Sequence, residues 1–259
     1  MPTTFYTEDE VKIIKADTRS LVRLASARLR YISHRSYVYQ DKNPNKNWLY
    51  ENGDFKDRYT GYDGGKDSSY RFIANQSLLD FYIALSQILT GMNMYNVKFL
   101  DAGCGIGNIL EAAALCGIPG HHITGYDLDQ DALNEGKRYF KANNHCIDGA
   151  DSINLIKQDI LTADYSKFDI IYYYHPFSDR DLERKFEEHI EDTIWIGAYI
   201  MLPRMKSSKR IDEDERFKKI DIIANNFSTN NIVVYKRVSV AKDKKSKEKQ
   251  TNKRRKEKS

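Results

Sequence analysis

Three glycines at alternating positions, Gly103, Gly105 and Gly107, follow an acid, Asp101, and precede Asn108 in the run Phe99-Leu100-Asp101-Ala102-Gly103-Cys104-Gly105-Ile106-Gly107-Asn108. An apolar stretch ends at the acid and a helix-forming stretch begins after the last glycine. The chain must turn sharply between them, and absent side chains let a ligand lie against the backbone. About one βα unit later a second apolar run ends in Gly125-Tyr126-Asp127. An acid at the end of a second strand can accept hydrogen bonds from both hydroxyls of a ribose. A glycine triplet alone could serve the turn and nothing else; the acid placed one unit downstream turns it into a candidate nucleoside site.

Two adenosine cofactors compete for such a site, and spacing separates them. The dinucleotide fingerprint GxGxxG needs glycine where this chain has Asn108. The alternating GxGxG form with a preceding acid resembles the first motif of class I, Rossmann-like methyltransferases, and the resemblance extends over roughly residues 70–240 at the level of superfamily motifs. It implies S-adenosylmethionine as cofactor, whose sulfonium cation an acid at Asp101 would favour directly or through water. It further implies Gly103, Gly105, Gly107 and Asn108 as cofactor contacts, Asp127 as the ribose acid and Leu128 as the apolar neighbour of adenine. In Lys157-Gln158-Asp159-Ile160, Asp159 matches the acid that receives the adenine amino group, and Ile160 offers backbone contacts. Asp169 to Phe177 resembles the fourth motif, which lines the methyl-transfer channel.

Methyl transfer requires an in-line approach of a lone pair, so much of the catalysis can be positioning, and a base is needed only for a protonated acceptor. Amino-group methylases carry Asn/Asp/Ser-Pro-Pro-aromatic at the fourth strand end. Here the four residues are Tyr174-His175-Pro176-Phe177, so the amide-binding side chain is missing and such acceptors are disfavoured. Cytosine C5 chemistry would need a cysteine near that loop, and Cys104, Cys116 and Cys146 all lie elsewhere. Asp179 and Asp181 could hold a metal for catechol chemistry but suit the first turn of the following helix better. His175 and Tyr174 remain as catalytic candidates, His175 as a base or an orienting group. The rest of the tyrosine run reads as sheet packing. No metal site is expected, since the adjacent pairs His121-His122 and His145-Cys146 seldom converge on one ion.

The elements that must position these residues alternate. A helix is expected over Asn75–Leu89, then strand, helix, strand, helix and strand through Asp159, a strand at Phe168–Tyr174, a helix at Asp179–Glu191, a strand over Thr193–Leu202, and two β-rich runs joined by a turn. No helix is evident between Asp159 and Phe168. The fold class is therefore α/β: a doubly wound, mainly parallel sheet with a carboxyl-terminal antiparallel hairpin and a helical amino-terminal attachment. Three parts are expected: residues 1–69 as helical attachment and lid-like loop, 70–240 as the methyltransferase domain, and 241–259 as a disordered basic tail.

Charge divides the same way. The net charge is +4 over 259 residues, yet Lys236 to Ser259 hold twelve Lys/Arg against three Asp/Glu, leaving the preceding body acidic. The body is not a nucleic-acid binder by charge, whereas residues 242–259 could tether a nucleic acid or other polyanion. No apolar stretch reaches the ~18 residues of a membrane span, the amino terminus lacks signal-peptide order, and three scattered cysteines suggest no disulfide framework. A cytoplasmic enzyme acting on a protein or nucleic-acid acceptor is expected. The rival is a catalytically silent methyltransferase-fold module held to a polyanion by its tail.

Overall fold

The apolar face of each predicted segment decides what it becomes. A computed structural model of the chain describes residues 75–142, 149–174, 176–177, 179–203, 208–223 and 231–239, with Leu29 and Ile32. Helix α1 spans Asn75–Leu89 as the sequence predicts. It is apolar almost all round, and Leu78, Phe81, Ile83, Ala84 and Leu85 are wholly buried, as suits a helix enclosed by other elements. Its buried amide Gln87 is satisfied by exchanging two 2.9 Å hydrogen bonds with the backbone of Ile223.

Strand β1 (Phe99–Ala102) leads through the glycine loop into helix α2 (Asn108–Leu115), and β2 (Ile123–Asp127) into α3 (Gln130–Ala142). Then come β3 (Asn154–Lys157), β4 (Ile170–Tyr173), α4 (Arg180–Thr193), β5 (Tyr199–Pro203), α5 (Ser208–Asp212), β6 (Phe217–Ile220) and β7 (Ile232–Arg237). The seven strands form one sheet in the order β3-β2-β1-β4-β5-β7-β6. β1 to β5 are parallel; β7 runs antiparallel to both β5 and β6, which is the expected terminal hairpin.

Alternation along the strands sends side chains to two cores. Phe99, Ile123, Ile170, Tyr172 and Val234 pack with α1, α2 and α3, and Leu29 and Ile32, both helical, join that core. Leu100, Tyr126, Ile171, Tyr173 and Tyr235 pack with Phe186 and Ile190 of α4. Residues 158–169 cross from β3 to β4 without a helix, in agreement with the sequence. Tyr165 and Phe168 fill the space on that face, and the Tyr165 hydroxyl donates to the Ile160 carbonyl at 2.5 Å.

Two expectations are corrected. The strand foreseen over Thr193–Leu202 begins only at Tyr199, because α4 continues to Thr193 and the chain then turns at Gly197, with φ of 113° and its N–H on the Arg237 carbonyl. Helix α5 was not foreseen. Its five residues have no apolar period, and they are held by Arg210, which reaches Glu187 at 3.1 Å and Glu191 at 2.6 Å on α4. Both sheet edges are polar: β3 exposes Asn154 and Lys157 beside Ile156, and β6 exposes Lys218 and Lys219. The amino-terminal helix and lid, apart from Leu29 and Ile32, and the basic tail lie outside the described residues.

Candidate active site

The chain leaves β1 for β2 on one side and returns to β4 on the other. Between β1 and β4 the strand order reverses, and the crevice beyond the carboxyl ends of strands at such a point is where open α/β sheets bind ligands. The glycine loop lies there. Gly103, Gly105 and Gly107 have φ of 89°, 53° and 85°, a region L side chains rarely adopt. The loop is stitched to β2: the N–H groups of Gly103 and Cys104 donate to the Tyr126 carbonyl at 2.8 and 3.0 Å. Gly105 N–H donates to Asp127 Oδ2 at 2.7 Å, and Asp129 N–H donates to Asp127 Oδ1 at 2.8 Å.

Asp127 therefore sits at the end of β2, half-buried, holding the loop that faces it. A carboxylate offers about four lone-pair sites, so one oxygen can accept from the protein and from a ligand hydroxyl together. The glycines divide by role. A Cβ on Gly107 would come within 2.9 Å of Phe140, so that residue is glycine for the packing of α2 against α3. A Cβ on Gly103 would instead meet Pro176 at 3.4 Å, which places the residues after β4 against the loop.

Asp101 is 3% exposed, and burial, then the charge of Asp127, push its carboxyl well above the usual carboxylate range. Such a group gains most from a nearby cation. Asn108 is buried at the start of α2, and Leu128 is half-buried beyond Asp127. Asp159 accepts from Leu161 N–H through Oδ1 at 2.8 Å, while among the described residues Oδ2 has no hydrogen-bond partner. Ile160 is buried, its carbonyl taken by Tyr165. Tyr174 stands half-buried at the end of β4, packed against both cores. His175 lies outside the described residues. The structure thus gathers Asp101, the glycine loop, Asp127, Asp159 and Tyr174 along one rim of the sheet.

Other sequence candidates settle elsewhere. Asp179 caps α4 by accepting from the N–H groups of Asp181 and Leu182 at 2.7 and 3.0 Å, and Asp181 faces solvent near Arg184. Cys104 is buried, and burial, then Asp127 and Asp101, push its thiol far up, the opposite of an activated nucleophile. Burial likewise pushes Cys116 up to about 12. Among the described residues no group of three or more His, Cys, Asp or Glu could hold a metal, and no helix is long and apolar enough to cross a membrane.

One residue escaped the sequence reading. Tyr172 pairs in register with Asp101 across the β1–β4 boundary and is wholly buried, its ring edge-on to Phe81 with centroids 5.0 Å apart. Among the described residues its hydroxyl has no hydrogen-bond partner. Strand pairing with Asp101 was the signal that could have singled it out from its neighbours.

Residues 99–191 match the family model described as "Methyltransferase domain". A type II methyltransferase, M.VspI, of Vibrio sp. (strain 343) is 31% identical over 104 residues, which are 39% of this chain and 24% of that protein, so the match spans about a quarter of the relative's length. Similar solved structures include an RNA methyltransferase from Salinibacter ruber in complex with S-adenosyl-L-homocysteine, with 16% identity and a TM-score of 0.43 over 61% of this chain and 93% of that one. Another is magnesium protoporphyrin IX methyltransferase (ChlM) from Synechocystis PCC 6803 with bound SAM, with 15% identity and a TM-score of 0.47 over 76% and 97%.

Proposed function

We propose that this chain transfers the methyl group of S-adenosylmethionine to a nucleic-acid acceptor. The observation that carries the cofactor half is the Asp127 carboxylate, which ends β2 at the switch point and holds the glycine loop through Gly105 N–H. Bound there, the cofactor supplies an activated methyl group. The chain's own residues bind and orient: Asp127 takes the ribose hydroxyls, Leu128 covers adenine, Asp159 accepts from its amino group through Oδ2, and Asp101 faces the cationic end. Tyr174 and His175, at the end of β4, orient the acceptor, with His175 available to take a proton if the acceptor loses one. The ten basic residues against three acidic ones in residues 242–259 support a polyanionic acceptor, and similarity to a type II methyltransferase agrees with it.

The test incubates the full chain and a chain ending at residue 241 with methyl-labelled S-adenosylmethionine and, separately, RNA, DNA and total protein. Label is expected in a nucleic-acid fraction. The truncated chain should bind the cofactor as well as the full chain and bind nucleic acid more weakly, with a shallower dependence on salt. Label in protein alone would overturn the acceptor reading. Cofactor binding without labelling of any fraction would favour the silent module.

A further inference from the structure

The nucleoside-binding residues run along the rim in strand order. Asp159 follows β3, Asp127 ends β2, and Asp101 and the glycine loop follow on β1. A ligand whose adenosine occupies the β3 and β2 positions must extend its other end over β1 towards β4. Tyr172 waits there. It is the register partner of Asp101 on the neighbouring strand and faces the same core, on the side of α1. A buried hydroxyl without a hydrogen bond is costly, and native proteins leave few of them without a reason.

We propose that the Tyr172 hydroxyl and the Asp101 carboxyl form a paired seat for the ammonium group at the amino-acid end of the ligand. The inference rests on the reading of this rim as the S-adenosylmethionine site. An ammonium has three N–H donors and no acceptor, so it can donate to the carboxylate and to the phenol oxygen at once. The sulfonium has no N–H to give. Asp101 contributes charge and Tyr172 contributes direction, its ring locked edge-on against Phe81 so that the hydroxyl cannot swing away. The groups facing Asp101 are Asp127 from β2, Cys104 from the loop and Tyr172 from β4, with Tyr174 next to Tyr172. Among the described residues none of these is a cation, and the ligand would supply one. Tyr172 is in this sense a positioning residue.

Tyr172→Phe keeps the ring and removes the oxygen, and the proposal gives its two effects opposite signs. The ligand-free variant should melt at or above the wild-type temperature, because an unpaired buried hydroxyl has gone. Calorimetry should find binding of S-adenosylhomocysteine and S-adenosylmethionine weakened about tenfold, with 5′-methylthioadenosine, which lacks the amino-acid end, bound as by the wild type. Equal affinity of wild type and variant for all three ligands would overturn the proposal. So would equal weakening for all three, or a lowered melting temperature with every affinity reduced, since either marks a general structural role. Wild-type protein that binds none of the three would instead remove the reading on which the inference stands.

Discussion

At the scale of single residues, Asp127 carries two loads with one carboxylate. It holds the glycine loop through Gly105 N–H and its own turn through Asp129 N–H, and in the proposed function it also takes the ribose hydroxyls. Asp127→Asn should therefore lower S-adenosylmethionine affinity at least tenfold, since hydrogen bonds to charged groups are worth about 1.5–3 kcal/mol. It should also lower stability, by about 1–2 kcal/mol, because an amide can accept only through one atom. Calorimetry and urea unfolding on the same variant separate the two losses; an unchanged urea midpoint would mean that the loop does not depend on Asp127. Asp101 and Asp127 were legible in the sequence as candidates because each ends an apolar run, whereas Asp159, behind Lys157 and Gln158, was singled out only through the family resemblance. Tyr172 was not: period-two alternation gives the face on which a strand residue stands but not whether its polar tip finds a partner. Gly107 read as a ligand contact, while its tightest neighbour is Phe140, thirty-three residues away in the chain and visible only after folding.

Elements are held to one another by an ionic cluster on the side of the sheet away from α1. Arg210 of α5 bridges Glu187 and Glu191 of α4, and Arg216 reaches Glu191 at 3.6 Å, Asp192 at 2.5 Å and Asp214 at 2.8 Å. Burial pushes Glu191 up to about 7 against the pull of Arg210 and Arg216. A carboxyl raised in this way binds its proton more tightly folded than unfolded. Its contribution to stability is present below the ordinary glutamate range and is lost as pH rises towards 7. Glu191→Gln should therefore flatten the decline in unfolding free energy between pH 5 and pH 8, by on the order of 2 kcal/mol across the interval. Parallel slopes for wild type and variant would mean that Glu191 stays ionised in the fold. This cluster explains why α5 escaped the sequence reading: five residues held by long-range ion pairs leave no local period to read. Helix α1, held by its own apolar surface, was legible to the residue. The late start of β5 was not, because Trp195 and Ile196 look like strand residues, yet the Trp195 indole N–H is committed to the Phe168 carbonyl and both residues are exposed.

For the whole molecule, the sheet brings together residues from β1 to β4 and beyond, so the rim exists only when the strand order is complete. Alternating strands and helices were enough to give the class and the parallel core. They could not give the place of β7 between β5 and β6, since pairing across a sheet is a non-local fact. The two ends of that sheet have a bearing on life at high concentration. An unpaired strand edge is a template on which another chain can add a strand, and charged side chains blunt it. β6 exposes Lys218 and Lys219, and β3 exposes Lys157 next to Ile156. Replacing Lys218 and Lys219 by Val and Thr should produce concentration-dependent association in light scattering with little change in the far-ultraviolet circular dichroism of dilute samples; a variant that scatters like the wild type at every concentration would show that the edge is protected by something other than these charges. Where copies of this protein are crowded together, the two lysines of that short strand are expected to oppose strand-to-strand joining.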